Sequence, residues 1–390
     1  MRRVLFWVSA ALVAYTYVGF PILLLVRAQM RRAPVRVAGA ELPTVSLIIA
    51  AHNERESIGS KLDNSLALDY PADRLEIVVA SDGSDDGTDD VVRDYERHGV
   101  RLVTPGRVGK AEALNAAVAA SRGEVLVFSD ANSEFEPGAV RALVHPLGDG
   151  TVGGVAGNQR YRRGPLGDPA AEGERAYWSF DRLLKEAESR SGSTISATGA
   201  IYAVRRSLFT GVPIGVTDDF AVSTAVIEQG YRLVFAADAV AWESISPNGG
   251  VEWGRKVRVM TRGLRGVWLR RRLLDPRRHG FYAVQLLTHK VLRRLMGVPL
   301  LVMAVVAPTL WKVGWSYRLA AIGQWGIAGL GVAGLALGRR GVRSRLLAAP
   351  AFFLMANAAA LTAAWNVMRG RRIDRWEPAR GVQTSRLNRQ

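Results

Sequence analysis

No cysteine occurs among the 390 residues, which excludes a disulfide framework, a thiol nucleophile and a thiolate metal site. Lysine is scarce too, at 6 of the 52 basic residues, so arginine carries nearly all the positive charge. Acidic residues are scarce only in the flanks. Outside residues 43–250 there are 5 Asp and Glu against 32 Lys and Arg, whereas residues 43–250 hold 30 against 20. The net charge of +17 therefore belongs to the flanks and not to one basic domain, and no nucleic-acid partner is expected.

Charge is missing altogether from four stretches: Val4–Val26 (23 residues), Leu295–Trp311 (17), Leu319–Gly338 (20) and Leu346–Met368 (23). At about 1.5 Å per residue, roughly 20 helical residues cross a hydrocarbon core about 30 Å thick. The three longer stretches suffice and the shortest is borderline. Val4–Val26 is long for a signal peptide and lacks a small-residue cleavage site, so it reads as a signal anchor. Arg27, Arg31, Arg32 and Arg36 outnumber Arg2 and Arg3, which places the following segment in the cytoplasm. Three later crossings would put Arg369, Arg371, Arg372 and Arg375 outside, against the positive-inside rule. A cytoplasmic tail is expected instead, with Leu295–Trp311 not a full crossing or one stretch re-entrant. The expected organisation is an anchor and basic linker (1–42), a cytoplasmic α/β domain (43–250), basic interfacial helices (251–294), transmembrane helices (295–368) and a basic tail (369–390). Residues 255–294 hold 13 Lys and Arg against Asp275 alone, interleaved with Trp268, Leu269, Leu273, Leu274, Phe281 and Tyr282. That mixture suits amphipathic helices on membrane lipids.

In the central segment, short apolar strands alternate with helices. Strands are expected at Val45–Ala50, Leu75–Ala80, Arg101–Thr104 and Val125–Ser129, and helices at Glu56–Ala67, Thr88–His98 and Lys110–Ser121. The alternation predicts a mostly parallel sheet with helices on both faces. Ligands bind such sheets beyond the carboxyl ends of the strands. The polar clusters at 52–54, 82–88 and 130–132 all fall there. A glycine-rich phosphate loop of the P-loop type is missing, as is Gly-x-Gly-x-x-Gly after the first strand. Carboxylates stand in its place, favouring metal-bridged binding of phosphate.

Asp130 and Asn132, two residues apart on an extended segment, present their oxygens on one side and can hold Mg²⁺ or Mn²⁺ beside diphosphate oxygens. A turn whose side chains bond their own backbone is the competing reading. Glu54 and Asp82 can bind the base and ribose of a nucleotide, while Asp85-Asp86-Gly87 reads as a turn capping the helix from Thr88. Asp218 and Asp219 stand where carboxylates favour a helix N-terminus, and either capping or base chemistry suits them. Gly199 permits close backbone approach to an acceptor.

In this order and spacing, the motifs resemble the family-2 glycosyltransferases with a GT-A fold, particularly the membrane-integral cellulose, chitin and hyaluronan synthases, over about residues 43–294. Ala50-Ala51-His52-Asn53-Glu54 is similar to the family's Ala-Tyr-Asn-Glu, with His for Tyr. Ser81–Thr88 resembles Asp-Asp-Gly-Ser-x-Asp-Gly-Thr, and Gly109–Asn115 resembles Gly-Lys-x-x-Ala-Leu-Asn. Asp130-Ala131-Asn132 stands for Asp-x-Asp, and Thr217-Asp218-Asp219 for Thr-Glu-Asp. The resemblance implies a GT-A (Rossmann-like) nucleotide-sugar domain between transmembrane helices, with Asp219 as general base and Asp130 with Asn132 holding the metal. It places Glu54, Asp82, Lys110, Gly199, Asp218, Arg255 and Arg258 around the substrates, Arg258 on the diphosphate. Where the synthases have Gln-x-x-Arg-Trp, this chain has Arg255-Lys256-Val257-Arg258-Val259, without the acceptor-holding Trp, which weighs against processive polymerisation. The expected reaction is inverting transfer from a nucleotide-diphosphate sugar, UDP-linked, to a saccharide. The alternatives are transfer to a polyprenyl phosphate or other lipid, and a non-catalytic membrane scaffold.

Overall fold

A computed structural model describes residues 1–37, 41–162, 169–243, 249–339 and 344–371. The expected basic tail falls, from residue 372 onward, outside the described residues. The chain divides into two compact units. Of the described residues, one is formed by residues within 1–27, 169–184 and 249–371, and the other by residues within 28–162 and 185–243.

The second unit is built on eight strands: β1 Val45–Ala51, β2 Leu75–Ser81, β3 Val100–Val103, β4 Val125–Asp130, β5 Glu134–Phe135, β6 Val152–Tyr161, β7 Tyr202–Arg205 and β8 Arg232–Glu243. They form one sheet in the order β3-β2-β1-β4-β7-β6-β8-β5. β1 pairs in parallel with β2 and with β4, and β2 in parallel with β3. The expectation of a mostly parallel sheet holds for this half. In the other half β7 runs antiparallel between β4 and β6, β6 pairs in parallel with β8, and the short β5 pairs antiparallel with β8. The reversal at β7 does not follow from the absence of a helix, since the helix Pro169–Ser191 lies between β6 and β7 and the two still pair antiparallel.

β1 is central, and all seven of its residues are buried. Its side chains alternate between two cores, as the strand period of two requires. Val45, Leu47, Ile49 and Ala51 pack with Ile58, Leu62, Val92 and Val140 from helices on one face. Ile48 and Ala50 pack with Leu114, Val118, Val222 and Val226 on the other. Both faces are therefore covered, and the open sites lie at the strand ends.

The first unit is helical. Arg2–Met30, Trp315–Gly338 and Leu346–Met368 are each long and apolar enough to cross a membrane. Phe281–Leu295 and Gly297–Thr309 form a pair bent by 48°, the geometry of a broken span or a re-entrant loop. Val8, Leu301, Val305, Leu319, Ile322 and Trp325 are exposed, an apolar surface suited to hydrocarbon. Inside the unit, Phe6 packs on Ala307, Leu310 and Tyr317, and the indole N–H of Trp7 donates to the Tyr317 hydroxyl at 3.1 Å. At Gly331 and Gly334 the helix Trp315–Arg339 comes close to the last helix. A Cβ at Gly334 would lie 2.7 Å from the Leu347 carbonyl oxygen, and one at Gly331 2.9 Å from that of Pro350.

Candidate active site

The loops after β1 and β2 are laced together by side chains rather than by a ladder. Asn53, in the left-handed region at φ 54°, donates from Nδ2 to Asp85 Oδ1 at 2.7 Å and accepts the Asp85 N–H at 3.0 Å. Asp86 accepts the N–H groups that open two helices, from Arg55 at 3.1 Å and from Thr88 at 2.9 Å. Burial raises the Asp86 pKa, but these bonds and that of the Thr88 hydroxyl outweigh it and bring the group below its ordinary value. The capping expected at Asp85-Asp86-Gly87 thus comes from Asp86 and serves both helices.

Glu54 accepts from the Ser57 hydroxyl at 2.5 Å, one turn into its own helix. Asp82 has no exposed surface. Its Oδ1 takes the N–H groups of Val108 (2.9 Å) and Gly109 (2.6 Å), while Arg107 pairs with Oδ2. The carboxylate expected to meet a nucleotide therefore organises the segment leading to Lys110. His52 lies against the same group. Burial, and then the Arg107 charge, lower its pKa from the ordinary histidine value.

Gly109, at φ +91°, turns the chain into the helix Lys110–Ala120. Lys110 then reaches across the end of β4, donating to Asp130 Oδ1 at 2.7 Å and pairing with Asp218 Oδ1 at 3.1 Å. Burial works against the ammonium, but the two carboxylates outweigh it and raise its pKa. For Asp218, burial is the largest influence and raises the pKa. Lys110 opposes that shift, while Asp219 and Asp130 add to it. The Tyr202 hydroxyl stands 3.5 Å from Asp218 Oδ2, and its ring stacks on Phe128 at 4.7 Å. Asp219, the next residue of the helix Asp218–Glu228, instead accepts the Phe220 N–H at 2.7 Å. Gly199 sits beside Asp130, where a Cβ would lie 3.1 Å from Oδ2. Any larger residue would intrude on the carboxylate.

Lys110, Asp130, Gly199, Asp218 and Asp219 are thus gathered at one end of the sheet, with Asn132 in the turn after β4. Arg255 and Arg258 stand on the helix Gly249–Leu269 of the helical unit. The sequence reading passed over Arg107, Tyr202 and Lys61. Lys61 had a signal, since it shares a helical stripe with Ile58, Leu62 and Ser65, all buried.

Among the described residues, no group of three or more His, Asp or Glu is placed to hold a cation alone. Lys110 bonds Oδ1 of Asp130, and Oδ2 lies toward Gly199; a carboxylate of this kind suits a hard ion that brings other ligands with it.

Residues 46–211 match the family described as Glycosyl transferase family 2. The chain is 30% identical over 234 residues to the probable glycosyltransferase YdaM of Bacillus subtilis, covering 56% of this chain and 54% of that protein. It is 26% identical over 227 residues to the poly-beta-1,6-N-acetyl-D-glucosamine synthase of Staphylococcus aureus, with the same coverages. The chain spans about half the length of the curated relatives it matches. Among solved structures, a mannosyltransferase from Pyrobaculum calidifontis in complex with GDP-Man and Mn²⁺ superposes with a TM-score of 0.72. Its identity is 26%, covering 93% of this chain and 99% of that one.

Proposed function

We propose that this chain, whose residues 46–211 form a glycosyl transferase family 2 domain of the GT-A fold, moves a sugar from a UDP-sugar to a saccharide acceptor at the membrane, with inversion. One observation supports the reading: Lys110 holds Asp130 and Asp218 together at the start of the helix where the adjacent Asp219 accepts the Phe220 N–H through Oδ1.

The roles divide accordingly. Asp219 takes the acceptor proton as the hydroxyl oxygen bonds to the anomeric carbon and the sugar–phosphate bond breaks. Asp218, fixed by Lys110, keeps its neighbour's backbone in place at the start of the helix. Asp130 and Asn132 hold Mg²⁺ or Mn²⁺, which when bound neutralises charge on the departing diphosphate. Arg258, with Arg255, supplies further positive charge to that diphosphate. Gly199, where a Cβ would crowd Asp130, leaves the backbone open to close approach by the acceptor. Glu54 and Asp82 shape the nucleotide end, Asp82 through the segment it anchors.

A second reading has a GDP-sugar as donor and a polyprenyl phosphate as acceptor. The near full-length likeness to a mannosyltransferase solved with GDP-Man favours its donor. The apolar helices that would keep a lipid acceptor at hand favour its acceptor. Nucleoside-diphosphate release by the purified chain in nanodiscs separates the two. UDP-GlcNAc with an oligosaccharide is expected to turn over. Turnover of GDP-Man with a polyprenyl phosphate alone would favour the second reading, and no release from any pair would sink both.

A further inference from the structure

The turn that carries Asp130 and Asn132 is closed at its base by the Ser133 N–H, which donates to the Asp130 carbonyl at 3.2 Å. The side chain of Ser133 has no exposed surface and donates to Glu243 Oε1 at 2.7 Å. Glu243 is the last residue of β8 and is itself held from β6. Its carbonyl accepts the Arg162 N–H at 2.9 Å, and its Oε2 accepts from Gln159 Nε2 at 2.6 Å. The same Gln159 nitrogen donates to the Tyr161 hydroxyl at 3.0 Å. The carboxylate therefore meets Ser133 from a fixed position.

β5 has other bonds that keep it on β8. Glu134 and Phe135 pair with Trp242 and Ala241, and the Glu136 N–H donates to the Val240 carbonyl at 3.0 Å. The Trp242 indole N–H donates to Glu136 at 3.1 Å. Alanine at 133 would leave that ladder intact. What the hydroxyl adds is a fixed point directly after Asn132, on the turn itself.

We infer that Glu243, acting through Ser133, is a positioning residue for the divalent ion: it sets the turn so that Asp130 and Asn132 meet the ion together. This rests on the metal and donor assignment proposed above. A small hard ion demands closely defined oxygen positions. Lys110 holds the Asp130 carboxylate at one end of the turn, and Glu243 holds the other end. An ionised acceptor bonds a hydroxyl more strongly than a neutral one does, which suits a strut. Partners set behind the groups that ligate a metal contribute about 10- to 100-fold to its affinity.

The test is Mn²⁺ titration of the full chain in nanodiscs, read from the free-ion electron paramagnetic resonance signal, with UDP and without acceptor. Ser133→Ala and Glu243→Ala should each weaken binding by about tenfold. The double variant should be no weaker than either one, because both remove the same bond. Glu243→Gln, which still offers Ser133 an oxygen, should fall between wild type and Glu243→Ala. Ser46→Ala is the control for stability alone. It removes another fully buried hydroxyl from a carboxylate, that of Glu76, near the start of β1, and should leave Mn²⁺ binding unchanged. Wild-type Mn²⁺ binding by Ser133→Ala would overturn the inference, and that variant decides alone should Glu243→Ala not fold. Additive losses in the double variant, an equal loss in Ser46→Ala, or a loss in Glu243→Gln as large as in Glu243→Ala would overturn it too. Absence of Mn²⁺ binding by wild type with either UDP or GDP would instead refute the metal and donor assignment, and this inference with it.

Discussion

Arg107 lies on the Asp82 carboxylate at the closed end of the loop that delivers Lys110. The arginine is partly exposed and the aspartate fully buried, so the pair seals the carboxylate from water. Positive φ at Gly106 and Gly109 brackets this turn. The motif resemblance pointed to Asp82 as a nucleotide contact; in the fold its oxygens accept from Arg107, Val108 and Gly109, which ties it to the segment leading to Lys110.

Asp82→Ala should therefore harm the protein before it harms any contact with substrate. It leaves the N–H groups of Val108 and Gly109 without their acceptor, a loss of about 1–3 kcal/mol. The expected result is a lower thermal midpoint together with a raised donor KM, since Lys110 follows directly in the chain. An unchanged midpoint with a raised KM would mean that Asp82 contacts the nucleotide itself.

Lys110→Met removes the cation shared by Asp130 and Asp218. Breaking a buried pair from one side is costly, at about 3–5 kcal/mol, because the remaining charges face each other. Part of that loss should return as pH falls and Asp218 takes up a proton, since its pKa in the fold is raised. The sign follows: where the folded state binds more protons than the unfolded, stability decreases with rising pH. Denaturation midpoints of the variant at pH 5 and pH 8 check it, the higher expected at pH 5.

Lys61 predicts the opposite slope. Burial pulls its pKa from 10.5 down to about 7, with Asp130, Glu134 and Glu243 acting against that shift. Between those values the unfolded chain holds a proton that the folded chain has released, so wild-type stability rises with pH. Lys61→Met should be more stable than wild type at pH 7, by about 1–4 kcal/mol, and the advantage should shrink toward pH 10. Parallel denaturation at the two pH values measures it; a constant difference would show that the amine stays charged throughout.

How much of this was legible follows local signal. β1, β2 and β4 are mostly apolar runs, interrupted by Ser46 in β1 and Glu76 in β2 and closed by polar turns, and their boundaries were readable to within a residue or so. β6 contains Gly153, Gly154 and Gly157, which weaken any strand signal, and β5 is two residues long. The insertion of β7 between β4 and β6 depends on pairing across the chain, which no local pattern encodes. Within the site, Asp130, Asp218 and Asp219 stood out through the resemblance of their motifs, since carboxylates at strand and helix ends serve turns and caps as readily. Tyr202 was not, since on its strand it reads as one more core aromatic.

In the helical unit, close approach rather than polarity joins the last two helices. Gly334→Val would place a Cβ about 2.7 Å from the Leu347 carbonyl and 3.0 Å from the Ala351 Cβ, so the helices must separate. A melting midpoint in detergent several degrees below wild type is expected. Gly338→Val, where a Cβ meets nothing within 4 Å, should leave the midpoint nearly unchanged. Equal effects of the two would show that valine alone, and not the contact, is responsible.

The paired aspartates at the start of the helix Asp218–Glu228 divide into two jobs that mutation can separate. Asp218 is tied to Lys110 and near Tyr202, whereas the Asp219 carboxylate accepts its neighbour's N–H. Asp219→Asn keeps the size and one oxygen acceptor, so the Phe220 bond and the fold should survive. Transfer should fall by about 10²- to 10⁴-fold, the usual contribution of a general base. Donor affinity should hardly move, because the base acts on the acceptor proton. Asp218→Asn should do something else: with one negative charge fewer on Lys110, the lysine turns more fully to Asp130 and competes with the metal there. Its expected signature is a higher Mn²⁺ requirement with a smaller drop in the maximal rate. Single-turnover transfer measured beside calorimetric donor binding distinguishes the two variants. Near wild-type transfer by Asp219→Asn would move the base to Asp218, and collapse of donor binding in Asp219→Asn would place that residue among the donor's ligands instead.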